Sequence, residues 1–215
     1  MSDAGALRTH ARLLTLEGGE GAGKSTVLEA LRRELEAQGQ EVVCTREPGG
    51  TPLAEMIRAL LLDPGHEPPS PEAELLLMFA SRAQHVRETV LPALDRGAWV
   101  ISDRFTDSSY AYQGGGRGLD AAWIAELERR VVGIRPGLTL LLDVPVAQGR
   151  ARAGGREQAA DRIESERDEF FERARAAFLA RAAAEPDRFR VIDATRDAPA
   201  VAREACALLR EYKAR

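Results

Sequence analysis

The chain has 215 residues, 30 of them basic and 34 acidic, for a formal net charge of −4. That length can bury a real core in one large domain, and the charge balance excludes the broad cationic field that coats nucleic acid or anionic lipid. No apolar run approaches the roughly 18 residues a membrane span requires. Cys44 and Cys206 are too few and too far apart for a disulfide framework, so reduced thiols and a cytoplasmic setting are expected.

In chain order, residues 1–12 lack the apolar centre of a secretory signal and read as a loose terminus, which leaves 13–215 as a single domain. Short apolar, partly β-branched runs at 13–17, 41–45, 99–102, 138–144 and 189–192 have the composition of strands. Between them, amphipathic patterns predict helices over 24–37, 52–62, 71–95, 120–132, 164–184 and 198–213. The stretch 64–71 is a polar, proline-rich connection. Several strands are apolar at successive positions, as expected when helices cover both faces of a parallel sheet. The alternation of strand and helix predicts right-handed crossovers and a doubly wound α/β domain, whose ligands bind beyond the carboxyl ends of the strands.

The first strand–helix turn reads Gly18-Gly19-Glu20-Gly21-Ala22-Gly23-Lys24-Ser25 and is followed by Thr26. It matches G-x-x-x-x-G-K-[ST], with an apolar strand before it and an amphipathic helix after it, the context this phosphate-binding loop requires. Its glycines let backbone N–H groups converge on phosphate oxygens. Lys24 reaches the β- and γ-phosphates, and the Ser25 hydroxyl can enter a Mg²⁺ shell. These residues predict binding of a nucleoside triphosphate.

Nucleotide binding alone does not separate a GTPase switch or a motor from a small-molecule kinase. Neither Lys24 nor Lys213, the two lysines of the chain, follows an asparagine, so the N-K-x-D motif that reads guanine is missing. The third strand runs into Asp103-Arg104, which reads either as a Mg²⁺ contact beside a phosphate clamp or as a strand-capping pair. Arg58 and Arg82 lie on the two elements after the second strand, where an acceptor would sit. Residues 150–156 hold Arg150, Arg152 and Arg156 with a glycine pair and no acid. That composition suits a lid, about 147–161, closing over a transferring phosphoryl group or, alternatively, a solvated loop.

The ordered blocks EGGEGAGKST at 17–26, TREPGGTPLAEMIRALLL at 45–62, RAQHVRETVLPAL at 82–94, SDRFTDSSYAYQGGGRG at 102–118, RPGLTLLLDV at 135–144 and DRIE at 161–164 together resemble the bacterial thymidylate kinases. The resemblance implies a P-loop nucleoside monophosphate kinase-like fold: a five-stranded parallel sheet with helices on both faces. It implies transfer of the γ-phosphoryl group of ATP to dTMP, with Mg²⁺, on the way to dTTP. It also implies a homodimer, with no nucleic-acid polymer and no membrane as partner. A kinase for another deoxynucleotide or deoxynucleoside, and a nucleotide-dependent switch, are the alternative readings.

Carried over by position, the resemblance places Glu20 near the acceptor's sugar, and Glu47, Arg58 and Arg82 along the dTMP site. Arg58 and Arg104 would lie near its phosphate and Arg82 near its base. Ser109 and Gln113 would hydrogen-bond the thymine edge, and Tyr112 would crowd a ribose 2′-hydroxyl. Asp103 would hold Mg²⁺ together with Ser25. Lys24, Arg104, Arg152 and Arg156 would be the catalytic cations. One position departs from the family pattern: Met78 stands where a phenylalanine usually stacks on thymine, and Phe79 follows it. One residue turns a helix by about 100°, so Met78 and Phe79 cannot face the base equally.

Overall fold

The computed structural model describes residues 7–154 and 161–214. Five parallel strands form one sheet in the order β2-β3-β1-β4-β5. The central strand, β1 (Arg8–Glu17), is followed by α1 (Lys24–Glu36), β2 (Val42–Arg46) and α2 (Pro52–Leu62). Next, α3 (Pro71–His85) runs through a π-helical turn at Val86–Val90 into α4 (Leu91–Asp95), before β3 (Trp99–Asp103). The short α5 (Thr106–Ser109) widens into π-helical turns at Tyr110–Gly116, and α6 (Ala121–Leu127) likewise ends in one at Glu128–Val132. The remaining elements are β4 (Ile134–Asp143), α7 (Val146–Ala153), α8 (Asp168–Ala184), β5 (Phe189–Asp193) and α9 (Ala198–Lys213).

Local chemistry explains where the helices begin. Thr51, Ser70 and Asp197 each accept a hydrogen bond from a backbone N–H of the first turn, and each is followed at once or one residue later by a proline. That pairing caps the orphan donors and pre-sets φ for the helix. Successive strand residues point to opposite faces of the sheet. Leu14, Leu16, Ile101, Leu140 and Leu142 therefore pack beneath α1 and α9, with Leu31, Leu35 and Leu209. On the opposite face Leu13 and Val100 meet Phe79, Phe105 and Ile124. A third cluster joins Tyr112, Leu141, Phe170, Phe171 and Phe178 where the π-helical turns after α5 pack on α8.

β4 begins at Ile134 rather than 138, and three further differences from the sequence expectation bear on the site. First, β1 begins at Arg8 rather than 13: Arg8, Thr9 and His10 pair with Ile134, Arg135 and Pro136, ahead of an irregularity in register before Leu14. Ordered structure thus reaches into the terminus expected to be loose. These residues are polar and largely exposed, so they give no apolar strand signal. Second, α7 occupies residues expected only as part of a lid. Third, α8 starts at Asp168 rather than 164, because Asp161 to Glu166 form hydrogen-bonded turns of their own.

Asp107 anchors this layer. It is wholly buried and accepts hydrogen bonds from both Arg188 (2.6 Å) and Arg181 (2.8 Å), tying α5 to α8 and to the approach to β5. Burial opposes its charge, but Arg188 and Arg181 hold its carboxyl below the ordinary 3.8. Removing one member of a buried pair leaves the other charge uncompensated, at a cost of about 3–5 kcal/mol. Asp107→Ala is expected to lower the urea midpoint accordingly at unchanged m-value. Because the folded pKa is depressed, the wild-type advantage is present at neutral pH and is lost as the pH falls through that lowered value. Melts of both proteins across the acid range check both statements.

Candidate active site

All five strands end on a charged residue at the carboxyl edge of the sheet: Glu17, Arg46, Asp103, Asp143 and Asp193. Above β1 and β3 this edge opens into a cleft of about 410 Å³.

The floor is the turn between β1 and α1. Gly23, in the left-handed conformation (φ 89°), starts α1, so the helix's unpaired N–H groups face the cleft. Lys24 Nζ donates to the carbonyls of Gly18 (3.3 Å) and Gly19 (3.0 Å), folded along the loop it serves. Burial and the neighbouring Arg104 push its pKa down from 10.5. Ser25 and Thr26 line the cleft beside it. Gly21 shows why this loop is glycine-rich. A Cβ there would lie 2.0 Å from the Gly149 carbonyl oxygen of α7.

The second wall follows β3. Arg104 is the one non-glycine among the described residues with a positive φ, 72°, a conformation that costs an L-residue about 1–2 kcal/mol. The surroundings fix it. Its guanidinium donates to the Gly18 carbonyl (3.1 Å), Ser108 Oγ (3.3 Å) and Glu20 (2.8 Å), and it lies 5.0 Å from the centre of the Tyr112 ring. Burial raises the Tyr112 phenol to about 12, so it stays neutral. Asp103 also lines the cleft, and its buried Oδ1 has no hydrogen-bond partner among the described residues. An orphaned carboxylate oxygen and the Ser25 hydroxyl lining the same cleft are a hard-oxygen donor set that fits Mg²⁺, which takes one or two carboxylates and completes its shell with substrate phosphates and water.

The third wall is a buried polar chain. Glu47 accepts from Arg82 Nε (2.6 Å) and contacts His85 Nδ1 (2.9 Å), while His85 Nε2 meets Thr45 Oγ1 (2.7 Å). Burial opposes the Glu47 charge, yet Arg82 and His85 hold its pKa below 4.5. Arg82 also donates to Ser109 Oγ (3.1 Å) and the Phe105 carbonyl (3.1 Å). Gln113 directs its amide to Glu74 (2.8 Å), leaving its carbonyl as an acceptor, while Ser109 keeps a hydroxyl proton to donate. Arg58 donates to the Pro48 carbonyl (2.9 Å) at the rim.

Most residues singled out from sequence therefore meet in one cleft, with four exceptions or refinements. Met78 lines the cleft, whereas Phe79, one residue around α3, is only 2% exposed and packs in the core under Arg82. Of the two positions left open by the sequence, the rotation of α3 puts Met78 at the cleft and Phe79 in the core. Gly18 and Gly19 lie behind the loop, toward Leu141 and Phe178, rather than on the cleft surface. Arg152 reaches the cleft, but its guanidinium donates to the carbonyls of Ala194 (2.7 Å) and Thr195 (2.9 Å). Arg156 lies outside the described residues.

Residues not selected from sequence also line the cleft: Arg46, Pro48, Leu62, Ser108, Asp161, Ile163 and Glu164. The segment beginning at Asp161 docks on the end of α2, where the Arg162 N–H donates to the Leu62 carbonyl (2.9 Å). Burial and the charge of Glu20 raise the Glu164 pKa. The DRIE block carried the available signal for this arm.

A phosphate-binding loop on β1, faced by an arginine-bearing turn on β3 and a polar pocket between α3 and α5, defines a P-loop phosphotransferase of the nucleoside monophosphate kinase type. The thymidylate kinase family model matches residues 16–205. A thymidylate kinase of Pseudomonas fluorescens is 58% identical over 197 residues, covering 91% of this chain and 93% of the relative. One from Chromohalobacter salexigens is 57% identical over 205 residues, 94% and 97% of the two chains. The crystal structure of thymidylate kinase from Ehrlichia chaffeensis superposes with a TM-score of 0.76 at 33% identity, over 94% of this chain and 99% of that one. The chain belongs to the thymidylate kinase family, and it is an enzyme.

Gly21 and Gly23 separate backbone freedom from close packing. Both have positive φ, but a Cβ at Gly23 meets nothing within 4 Å. Gly21→Ala is expected to weaken nucleoside triphosphate binding by at least about tenfold more than Gly23→Ala, because α7 must also move away. Titration calorimetry of the two variants measures the difference.

Proposed function

We propose that the enzyme transfers the γ-phosphoryl group of ATP to dTMP, forming dTDP for dTTP synthesis. The observation that carries this reading is the pair of anion sites in one cleft: the loop around Lys24 on one side, Arg58 and Arg104 on the other. Two phosphates held so converge for in-line transfer. The acceptor phosphate is already ionised near neutral pH, so the attacking oxygen needs no strong base. Catalysis is then positioning and charge neutralisation of a loose transition state.

Lys24 holds the transferring phosphate, and Arg104, with Arg58 behind it, holds the acceptor phosphate. Ser25 and Asp103 would hold Mg²⁺, which when bound neutralises charge on the phosphate oxygens. Arg152 and Arg156 belong to the proposed lid; Arg152 must exchange its two carbonyl partners for phosphate oxygens to act there. In the base pocket, the Ser109 donor and the Gln113 acceptor match the carbonyl and N–H of a thymine edge, beside Arg82. Met78 offers a polarizable apolar surface to the ring. Tyr112 and Glu20 bound the sugar.

The test is coupled ADP release with dTMP, dUMP, dGMP and thymidine in turn. Turnover is expected to be stimulated best by dTMP; stimulation by thymidine alone would make the chain a nucleoside kinase. Lys24→Ala is expected to lower kcat by at least about a hundredfold with the fold intact by circular dichroism, and Met78→Ala to raise the KM for dTMP but not for ATP.

No helix among the described residues is long and apolar enough to cross a membrane. We place the enzyme in the cytoplasm, where free Cys44 and Cys206 stay reduced. It acts as a homodimer through α2 and α3. Leu53, Met56 and Leu60 form an exposed stripe on α2, with Leu76 exposed on α3 packed beside it, a clustering of apolar surface that marks an interface. Sedimentation is expected to give twice the 23.4 kDa of the chain, and Met56→Asp to give the monomer. A wild-type monomer at micromolar concentration would remove this assignment.

A further inference from the structure

Glu17 closes β1 immediately before the phosphate-binding loop, and it is wholly buried. Its Oε1 accepts from the Phe105 N–H (2.8 Å), and its Oε2 lies 2.6 Å from Ser108 Oγ. These two contacts flank the strained turn: Phe105 follows Arg104, and Ser108 Oγ accepts from the Arg104 guanidinium. We propose that Glu17 is a positioning residue, whose carboxyl clamps the turn after β3 and so fixes Arg104 for the acceptor phosphate. The inference rests on the reading of Arg104 given above.

The groups around Glu17 are of both signs. Arg104 and Asp107 approach from the turn after β3, and Asp107 is itself neutralised by Arg188 and Arg181. Lys24 of α1 and Tyr112 beyond α5 register the charge of Glu17, and Glu20 is already paired with Arg104. Burial, with the Asp107 charge, pushes the Glu17 carboxyl up to about 8. Near neutral pH it is protonated, and its O–H donates to Ser108 Oγ while its carbonyl oxygen accepts from Phe105. The clamp is then uncharged, and the Arg104 charge remains for the anionic ligand. Ionisation would set a second negative charge beside Arg104, in competition with the acceptor phosphate.

Glutamine at this position reproduces the neutral carboxyl, donor and acceptor alike; alanine removes the clamp. Glu17→Ala is expected to lower kcat/KM for dTMP by about tenfold or more while the KM for ATP moves less than about twofold. Glu17→Gln is expected to stay within about threefold of wild type at pH 7. Above about pH 8 the wild-type KM for dTMP is expected to rise as the carboxyl ionises, and that of Glu17→Gln to stay flat. Ser108→Ala, which deletes one arm of the clamp, is expected to raise the KM for dTMP with a smaller loss than Glu17→Ala.

Melting curves on each variant separate unfolding from misplacement. Equal effects on the two substrates, losses that track the folded fraction, or an alkaline rise in KM that persists in Glu17→Gln would each overturn the proposal. Failure of wild type to phosphorylate dTMP would instead overturn the functional reading.

Discussion

The placement of β1 at the centre of the sheet is the constraint from which the rest of the cleft follows. Leu16 lies in register with Asp103 on one side and Leu140 on the other, so the loop leaving β1 and the turn leaving β3 must emerge side by side. Arg104 closes that gap by donating to the Gly18 carbonyl, and its own N–H donates to the Leu16 carbonyl. The two segments, some 80 residues apart in sequence, are thereby tied together. The left-handed Arg104 is tolerated because its backbone and side chain are both over-determined by neighbours.

Buried charge is the second organising feature, and it supplies definition more than stability. An ion pair in a protein interior scarcely recovers the cost of desolvating its members, so apolar replacements of the same shape are often no worse. What Glu47 supplies is direction. By holding Arg82 and His85 together it fixes the orientation of a guanidinium that also touches Ser109 and the Phe105 carbonyl. Asp107 does the same one layer deeper, where α5 would otherwise be free to slide on α8. Glu17 differs from both in that no cation among the described residues pairs with it directly, so burial and the Asp107 charge push its carboxyl pKa up.

The parts of this arrangement legible in sequence are those with a local signature. The phosphate-binding loop is a contiguous motif. Each strand expected from apolar runs is present, and in the three central strands burial on both faces writes itself as consecutive apolar residues. What sequence could not settle depends on long-range geometry. Met78 and Phe79 are both plausible ring contacts until the rotation of α3 assigns one to the cleft and the other to the core. The polar residues at 8–10 join β1 only because β4 extends opposite them. Glu17 carries no signal at all, since a glutamate before a glycine turn reads as solvated until the turn after β3 is folded over it.

The scarcity of lysine acquires a physical meaning from the same geometry. Three of the arginines at the cleft spread their forks over several partners. Arg82 holds Glu47, Ser109 and a carbonyl; Arg104 holds Glu20, Ser108 and a carbonyl; Arg152 bridges two carbonyls. A compact ammonium lacks the planar reach with which Arg82 and Arg104 each span a carboxylate, a hydroxyl and a carbonyl. Lys24 faces the opposite demand. It lies along the carbonyls of Gly18 and Gly19 inside a loop whose N–H groups must close around a phosphate, where a planar guanidinium would prop the loop open. In a chain that uses arginine almost everywhere else, the requirement for a slim, flexible cation at position 24 is set by the radius of the loop and not by charge alone.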